Sequence, residues 1–140
     1  IKKRLQALPE ELIQKLIQSD IQTTKIITFI ACMVTDRLLF ELMYEVYRNK
    51  VHYGEENITD ADLNIFMNDK RDQSEKMAGF SDLTIRKLKQ NYSKYMFETG
   101  LISGKTSEKK IERPYIDTEI RDILLRNQME KYYYALTGEM

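Results

Sequence analysis

The side chains with the plainest chemistry cluster between Ser81 and Lys110. Arg86, Lys87, Lys89 and Lys94 share one amphipathic run, and Lys105, Lys109 and Lys110 follow in a polar loop. Cationic groups on one side of a helix neutralise phosphates, and a helix fits the major groove of duplex DNA with its N-terminal residues at the base edges. On that geometry Ser81, Thr84, Arg86 and Lys87 face the groove, Lys89 and Lys94 flank the backbone, and the three loop lysines reach adjacent phosphates or the minor groove. The competing account is a solvated helix face beside a solvated turn, which the same residues satisfy.

Acid–base chemistry has little to work with. The lone histidine, His52, stands beside Tyr53 and Gly54 with no Cys, Asp or Glu at ligand spacing. Cys32, the single cysteine, lies inside the apolar run 26–34, where it reads as a small buried hydrophobe; no disulfide can form within the chain, which fits a reducing compartment. Asp69, Asp72 and Glu75 lack the Gly-containing loop of a calcium site and read as a solvated acidic face. No Gly-rich phosphate loop and no Ser/His or Cys/His constellation is present. The sequence therefore predicts a protein that is not an enzyme and that uses no metal, cofactor or small-molecule substrate.

The elements that must position the basic residues follow from local signals. Ser81 is a good N-cap. Ile85, Leu88, Tyr92, Tyr95 and Met96 fall on one side of the helix it starts, with Arg86, Lys87, Lys89, Gln90, Ser93 and Lys94 on the other. Gly100 suits the left-handed stop, Leu101-Ile102 resumes as a short strand, and 111–116 returns as a second one. Capped helix, stop, strand, basic loop and strand is the order of a winged helix-turn-helix. A polar connector at 71–79 precedes it, longer than the tight turn of the simplest helix-turn-helix.

Upstream, Pro9 opens a helix over 9–18 with Leu8, Leu12 and Leu16 four apart. Ser19 and Gln22 match a capping box for a helix from about Asp20. Residues 26–47 are apolar nearly all round, apart from a stripe of Arg37, Glu41, Glu45 and Arg48, so this helix is expected to be buried, with a break near Thr35-Asp36 and Asp36 capping the second piece. A loop over 51–57 leads to a helix capped by Thr59. Downstream, Asp117 caps a last helix that Gly138 ends, with Asp122 and Arg126 paired on its outside. At least one of Tyr132, Tyr133 and Tyr134 should be exposed and available to anchor an interface.

The 140 residues are 42% apolar and 31% charged, with five glycines and two prolines, and suit one mostly α-helical domain. The expected division is a buried helical half (1–57), a winged-helix-like half (58–116) and a closing C-terminal helix (117–138). Formal net charge is zero, which argues mildly against a dedicated nucleic-acid binder, but the charge is segregated. Residues 54–75 carry seven acidic and two basic side chains, and residues 81–114 carry eight basic and four acidic. The acidic segment either keeps that side off phosphates or docks a basic partner. No run approaches the roughly 18 apolar residues of a membrane span, and no signal peptide is visible, so a cytoplasmic protein is expected.

Several stretches resemble the BrxA family of bacterial BREX phage-defence systems, once described as inner-membrane proteins of unknown function. They are Arg4-Leu5 with the Leu-rich helix after it, Leu39-Phe40-Glu41-Leu42, Asp62-x-x-x-Phe66, Phe80-Ser81-x-x-Thr84-x-x-Lys87-Leu88 and Glu98-x-Gly100-Leu101-Ile102. All are fold-pattern residues rather than catalytic ones. The resemblance implies a small, all-helical cytoplasmic accessory with helix-turn-helix elements, associating with double-stranded DNA and with other defence proteins. Family members are longer at the N-terminus, so a chain opening on Ile1 is expected to lack a helix or two. The alternatives are an interaction scaffold in a defence complex and a winged-helix transcriptional regulator.

Overall fold

The computed structural model describes residues 5–104 and 107–140, and it is mainly α-helical with one small antiparallel sheet. The chain forms two compact units, residues 1–55 with 113–140 and residues 56–112.

The first unit holds α1 (Glu10–Gln18), α2 (Ile21–Thr35) and α3 (Arg37–Leu42). A π-helical turn (Met43–Tyr47) carries α3 on into α4 (Arg48–His52). After the second unit, α8 (Thr118–Arg126) and α9 (Glu130–Thr137) complete it. Ile26, Ile27, Phe29 and Ile30 of α2 are buried, but the expected all-round burial fails: Ile21, Lys25, Thr28 and Thr35 are exposed along one side of the helix. The break falls at Asp36, whose carboxylate accepts from the Leu39 N–H at 3.2 Å. Helix α9 packs across the π turn, α4 and α2, while α1 lies on α2 and α8. The stripe predicted along α3 is real, with the Arg37 guanidinium 3.0 Å from Glu41.

Three local expectations fail here. The cap of α2 is Asp20, not Ser19: its carboxylate accepts from the Thr23 N–H at 2.8 Å, and the Ser19 hydroxyl turns back to the Lys15 carbonyl. A charged oxygen one residue closer to the first turn outcompetes the hydroxyl. The last helix is two helices, because the chain turns at Asn127–Met129 with Gln128 at φ 55°. Nor do Asp122 and Arg126 pair with each other; Asp122 meets Arg121 at 3.3 Å, and Arg126 reaches Glu11 of α1 at 3.1 Å.

Tertiary electrostatics tie α1 to α8. The Lys15 ammonium lies 3.0 Å from Asp117 and 3.1 Å from Glu119. The Glu119 N–H donated to Asp117, and then Lys15, hold the Asp117 carboxyl below its ordinary 3.8, and the bond to Asp117 is the largest cause raising Lys15. The lowered carboxyl contributes stability above its unfolded pKa, and that contribution is lost as pH falls through the lower folded value. The raised Lys15 contributes below 10.5 and loses its part as pH rises through its higher folded value. Asp117→Ala should therefore cost about 1 kcal/mol at neutral pH, read by urea unfolding. Its deficit against wild type should shrink as pH drops below 3.8. An undiminished deficit in acid would refute the charge as its source.

The second unit runs β1 (Asn57–Thr59), α5 (Asp60–Gln73), α6 (Glu75–Ala78), α7 (Asp82–Thr99), β2 (Ile102–Ser103) and β3 (Glu108–Ile111). The sheet order is β1–β3–β2, antiparallel throughout, with Ile58 opposite Lys109 and Ile102 opposite Ile111. Thr59 caps α5 in a full capping box with Asp62, Ser81 caps α7, and Gly100 ends α7 at φ 85°. The expected single hairpin is thus a three-stranded sheet. Its third strand, β1, starts at the last residue of the predicted loop and runs to the predicted cap Thr59; three residues are too few to show a period. The polar connector is shorter than predicted: α5 continues to Gln73, and Ser74 caps the small helix α6, which buries Met77. The returning strand ends at Ile111, two residues before Arg113-Pro114, where a proline has no N–H to give a ladder.

Candidate nucleic-acid interface

Helix α7 is built by its inner side. Ile85, Tyr92, Met96 and Thr99 are buried, which fixes the outward arc. That arc carries Leu83, Arg86, Lys87, Gln90, Lys94 and Phe97, within about 100° at 100° per residue. Arg86 and Lys87 are exposed and have no ion-pair partner among the described residues. Lys94 is exposed on the same stripe, 4.0 Å from Glu98 one turn on.

The other predicted residues separate into different roles. Ser81 and Thr84 are exposed, but they serve the cap: the Ser81 hydroxyl accepts from the Thr84 N–H at 3.1 Å and bonds the Thr84 hydroxyl at 3.0 Å. Lys89 does not point outward. Its ammonium lies 3.3 Å from Asp60 and also bonds Asn64, and its side chain is only 16% exposed. It joins α7 to the start of α5.

Lys109 and Lys110 are not in a loop; both lie in β3, the middle strand of the sheet. Alternation along a strand sends them to opposite faces. Lys109 is half-buried and lines a small hollow of about 120 Å³ with Ile58, Leu63, Ser93 and Met96. Lys110 is exposed, 4.0 Å from Glu112. Lys105 lies outside the described residues. Of the predicted set, Arg86, Lys87, Lys94 and Lys110 are left with heads in solvent and at most one loose acidic neighbour.

Sequence reasoning missed one charged feature at this site, Arg71. It donates to the Phe80 carbonyl at 2.7 Å and to Asp82 at 2.9 Å, closing the turn between α5 and α7. Only the fold could show this, since the partners lie 9 and 11 residues away along a connector.

In the first unit, His52 is occupied structurally. Its Nδ1 sits 2.9 Å from the Gly138 carbonyl oxygen, and its ring stands edge-on to Tyr53. The expectation of an exposed tyrosine among 132–134 fails: all three are half-buried, and burial raises the Tyr132 and Tyr133 hydroxyls above their ordinary pKa. Among the described residues, no three of His, Cys, Asp and Glu are grouped to hold a metal ion. No helix of the described residues is long and apolar enough to cross a membrane.

Fold and site define a mainly α-helical protein in which a small antiparallel sheet adjoins a helix with a basic outer stripe. The BrxA family model matches residues 1–128, and the chain belongs to that family. It is 42% identical over 136 residues to the BREX protein BrxA of Bacillus cereus (strain H3081.97), covering 97% of this chain and 68% of that one. The crystal structure of an uncharacterized protein from Magnetospirillum magneticum superposes with a TM-score of 0.85 over 99% of this chain and 72% of the other. At 18% identity it bears on the fold alone.

Proposed function

We propose that this chain is a non-enzymatic accessory of a BREX phage-defence system that binds double-stranded DNA with little sequence specificity. Membership of the BrxA family implies a phage-defence protein. The DNA reading rests on one observation, the solvent-facing stripe of Arg86, Lys87 and Lys94 on a helix held by its buried side. The order of one strand, three helices and a hairpin, with sheet order β1–β3–β2, supports it, since a winged helix carries its recognition helix immediately before such a hairpin. Low specificity follows from the side chains available. The stripe holds phosphate-type contacts, and the Ser81 and Thr84 hydroxyls that stand nearest base-edge positions are engaged in the cap.

Duplex affinity measured against salt tests this. Four phosphate partners, Arg86, Lys87, Lys94 and Lys110, give an expected slope of log affinity on log salt of about −3 to −4. Affinity that does not change with salt would remove the proposal. Other defence-system proteins are the partners it would act with. Exposed Leu83 and Phe97 at the ends of the same stripe favour protein contact as a second use of this surface.

A further inference from the structure

Where α4 and α9 end, the first unit holds an open cavity of about 480 Å³, within the ~300–1,000 Å³ range of small-ligand sites. Val51, Pro114 and Leu136 make its apolar wall, and of these Val51 and Leu136 are buried. Gly138 closes the corner, because without a side chain the end of α9 comes directly against the Val51 side chain and the His52 backbone. Charge is supplied by few groups, as at small-ligand sites generally: His52, Arg113 and Glu139.

Arg113 and Glu139 line the same cavity yet do not pair. Arg113 makes only a 3.5 Å approach to the Val51 carbonyl oxygen, and neither side chain has an ion-pair partner among the described residues. Elsewhere in the unit Lys15, Arg37 and Arg126 each reach a carboxylate, at 3.0, 3.0 and 3.1 Å. The His52 ring is preset. The Gly138 carbonyl can only accept, so Nδ1 carries the proton and Nε2 is left as the acceptor of the neutral ring. Tyr53, 70% exposed, stands edge-on to that ring at 4.8 Å and offers a π-face beside it.

We propose that this cavity binds a small zwitterion with an apolar body, the chemistry of a free α-amino acid or a short peptide. Arg113 takes the carboxylate, Glu139 and the His52 Nε2 take the ammonium, and the body lies on Val51, Pro114 and Leu136. A guanidinium with N–H donors to spare matches a carboxylate in a fork. A ligand of one charge would leave the opposite side chain unanswered, and an apolar one would leave both. The site lies wholly in the first unit, so it stands or falls independently of duplex binding by α7.

Isothermal titration calorimetry of the full chain with leucine and with leucyl-leucine tests the proposal and tells the two sources apart. At least one should bind in a 1:1 ratio and raise the unfolding temperature. Arg113→Ala and, separately, Glu139→Gln should each weaken the tighter of the two about tenfold or more. Acetylating the amine of that ligand, or converting its carboxylate to an amide, should weaken binding to the wild-type chain to a similar degree. Glu139→Gln should then cost the acetylated ligand nothing further, which separates a lost contact from a damaged fold. Both residues are exposed, and circular dichroism confirms that each variant is folded. Absence of heat with both ligands overturns the proposal. So does binding that either variant leaves unchanged; indifference to Glu139 would make the site one for a plain carboxylate.

Discussion

Reversing Arg86 and Lys87 together to glutamate should weaken duplex binding by about ten- to a hundredfold at moderate salt, with nearly the same loss for every sequence tested. Each side chain accounts for about one unit of the salt slope, so the slope should also flatten by about 2. Fluorescence anisotropy across a salt series measures both. Neither residue has an ion-pair partner among the described residues, so unfolding temperature and helical content should stay at wild-type values. Unchanged affinity would sink the assignment of α7 as the contacting helix. Lys89→Glu makes an instructive contrast. Its ammonium is spent on Asp60 and Asn64, so a glutamate there sets two carboxylates together at the join of α5 and α7. It should lower stability first, with any loss of binding following from that.

Gly138→Ala should cost about 2–4 kcal/mol, a large loss for one added methyl. Two effects add. Gly138 sits at φ 81°, where a Cβ is strained, and that Cβ would lie 2.7 Å from the Val51 Cγ1 and 2.8 Å from the His52 backbone nitrogen. A backbone nitrogen in the last turn of α4 cannot swing aside as a side-chain tip would. Gly54→Ala is the control: φ there is 73°, yet nothing lies within 4 Å of the added Cβ. It should show the conformational part alone, about 1 kcal/mol. Urea denaturation of the two variants separates strain from collision, and equal losses would show that the close approach to α4 does not matter.

Those two glycines mark the boundary between what could be read locally and what could not. That Gly138 stops a helix is visible in the chain, because a helix end asks for left-handed backbone and glycine supplies it. That nothing larger fits there depends on α4, 86 residues away. The caps at Asp36, Thr59, Ser81 and Gly100 behave like the first case. Each is a side chain or backbone conformation satisfying groups within three or four residues of itself, so the sequence window contains the whole cause. The basic helix was legible for the same reason, since its buried side recurs with a helical period.

The fates of the individual cations were another matter. Arg86, Lys87, Lys89 and Lys94 look alike along the chain, and all four lie on the polar half of the helical wheel. Lys89 differs only because α5 brings Asp60 and Asn64 to it from 29 and 25 residues away. Lys109 and Lys110 read as loop residues because β3 has no periodicity of its own. It becomes a strand by pairing with β1 on one side and β2 on the other, and the pleat then hides one lysine and exposes the next. By itself, then, the sequence determined a mainly helical chain, most of its caps, its segregated charge and its family, because each of these is a property of neighbouring residues or of their pattern. The tertiary structure alone decided which cations of the predicted interface keep their charge in solvent, because long-range pairing supplies the partners that take the others.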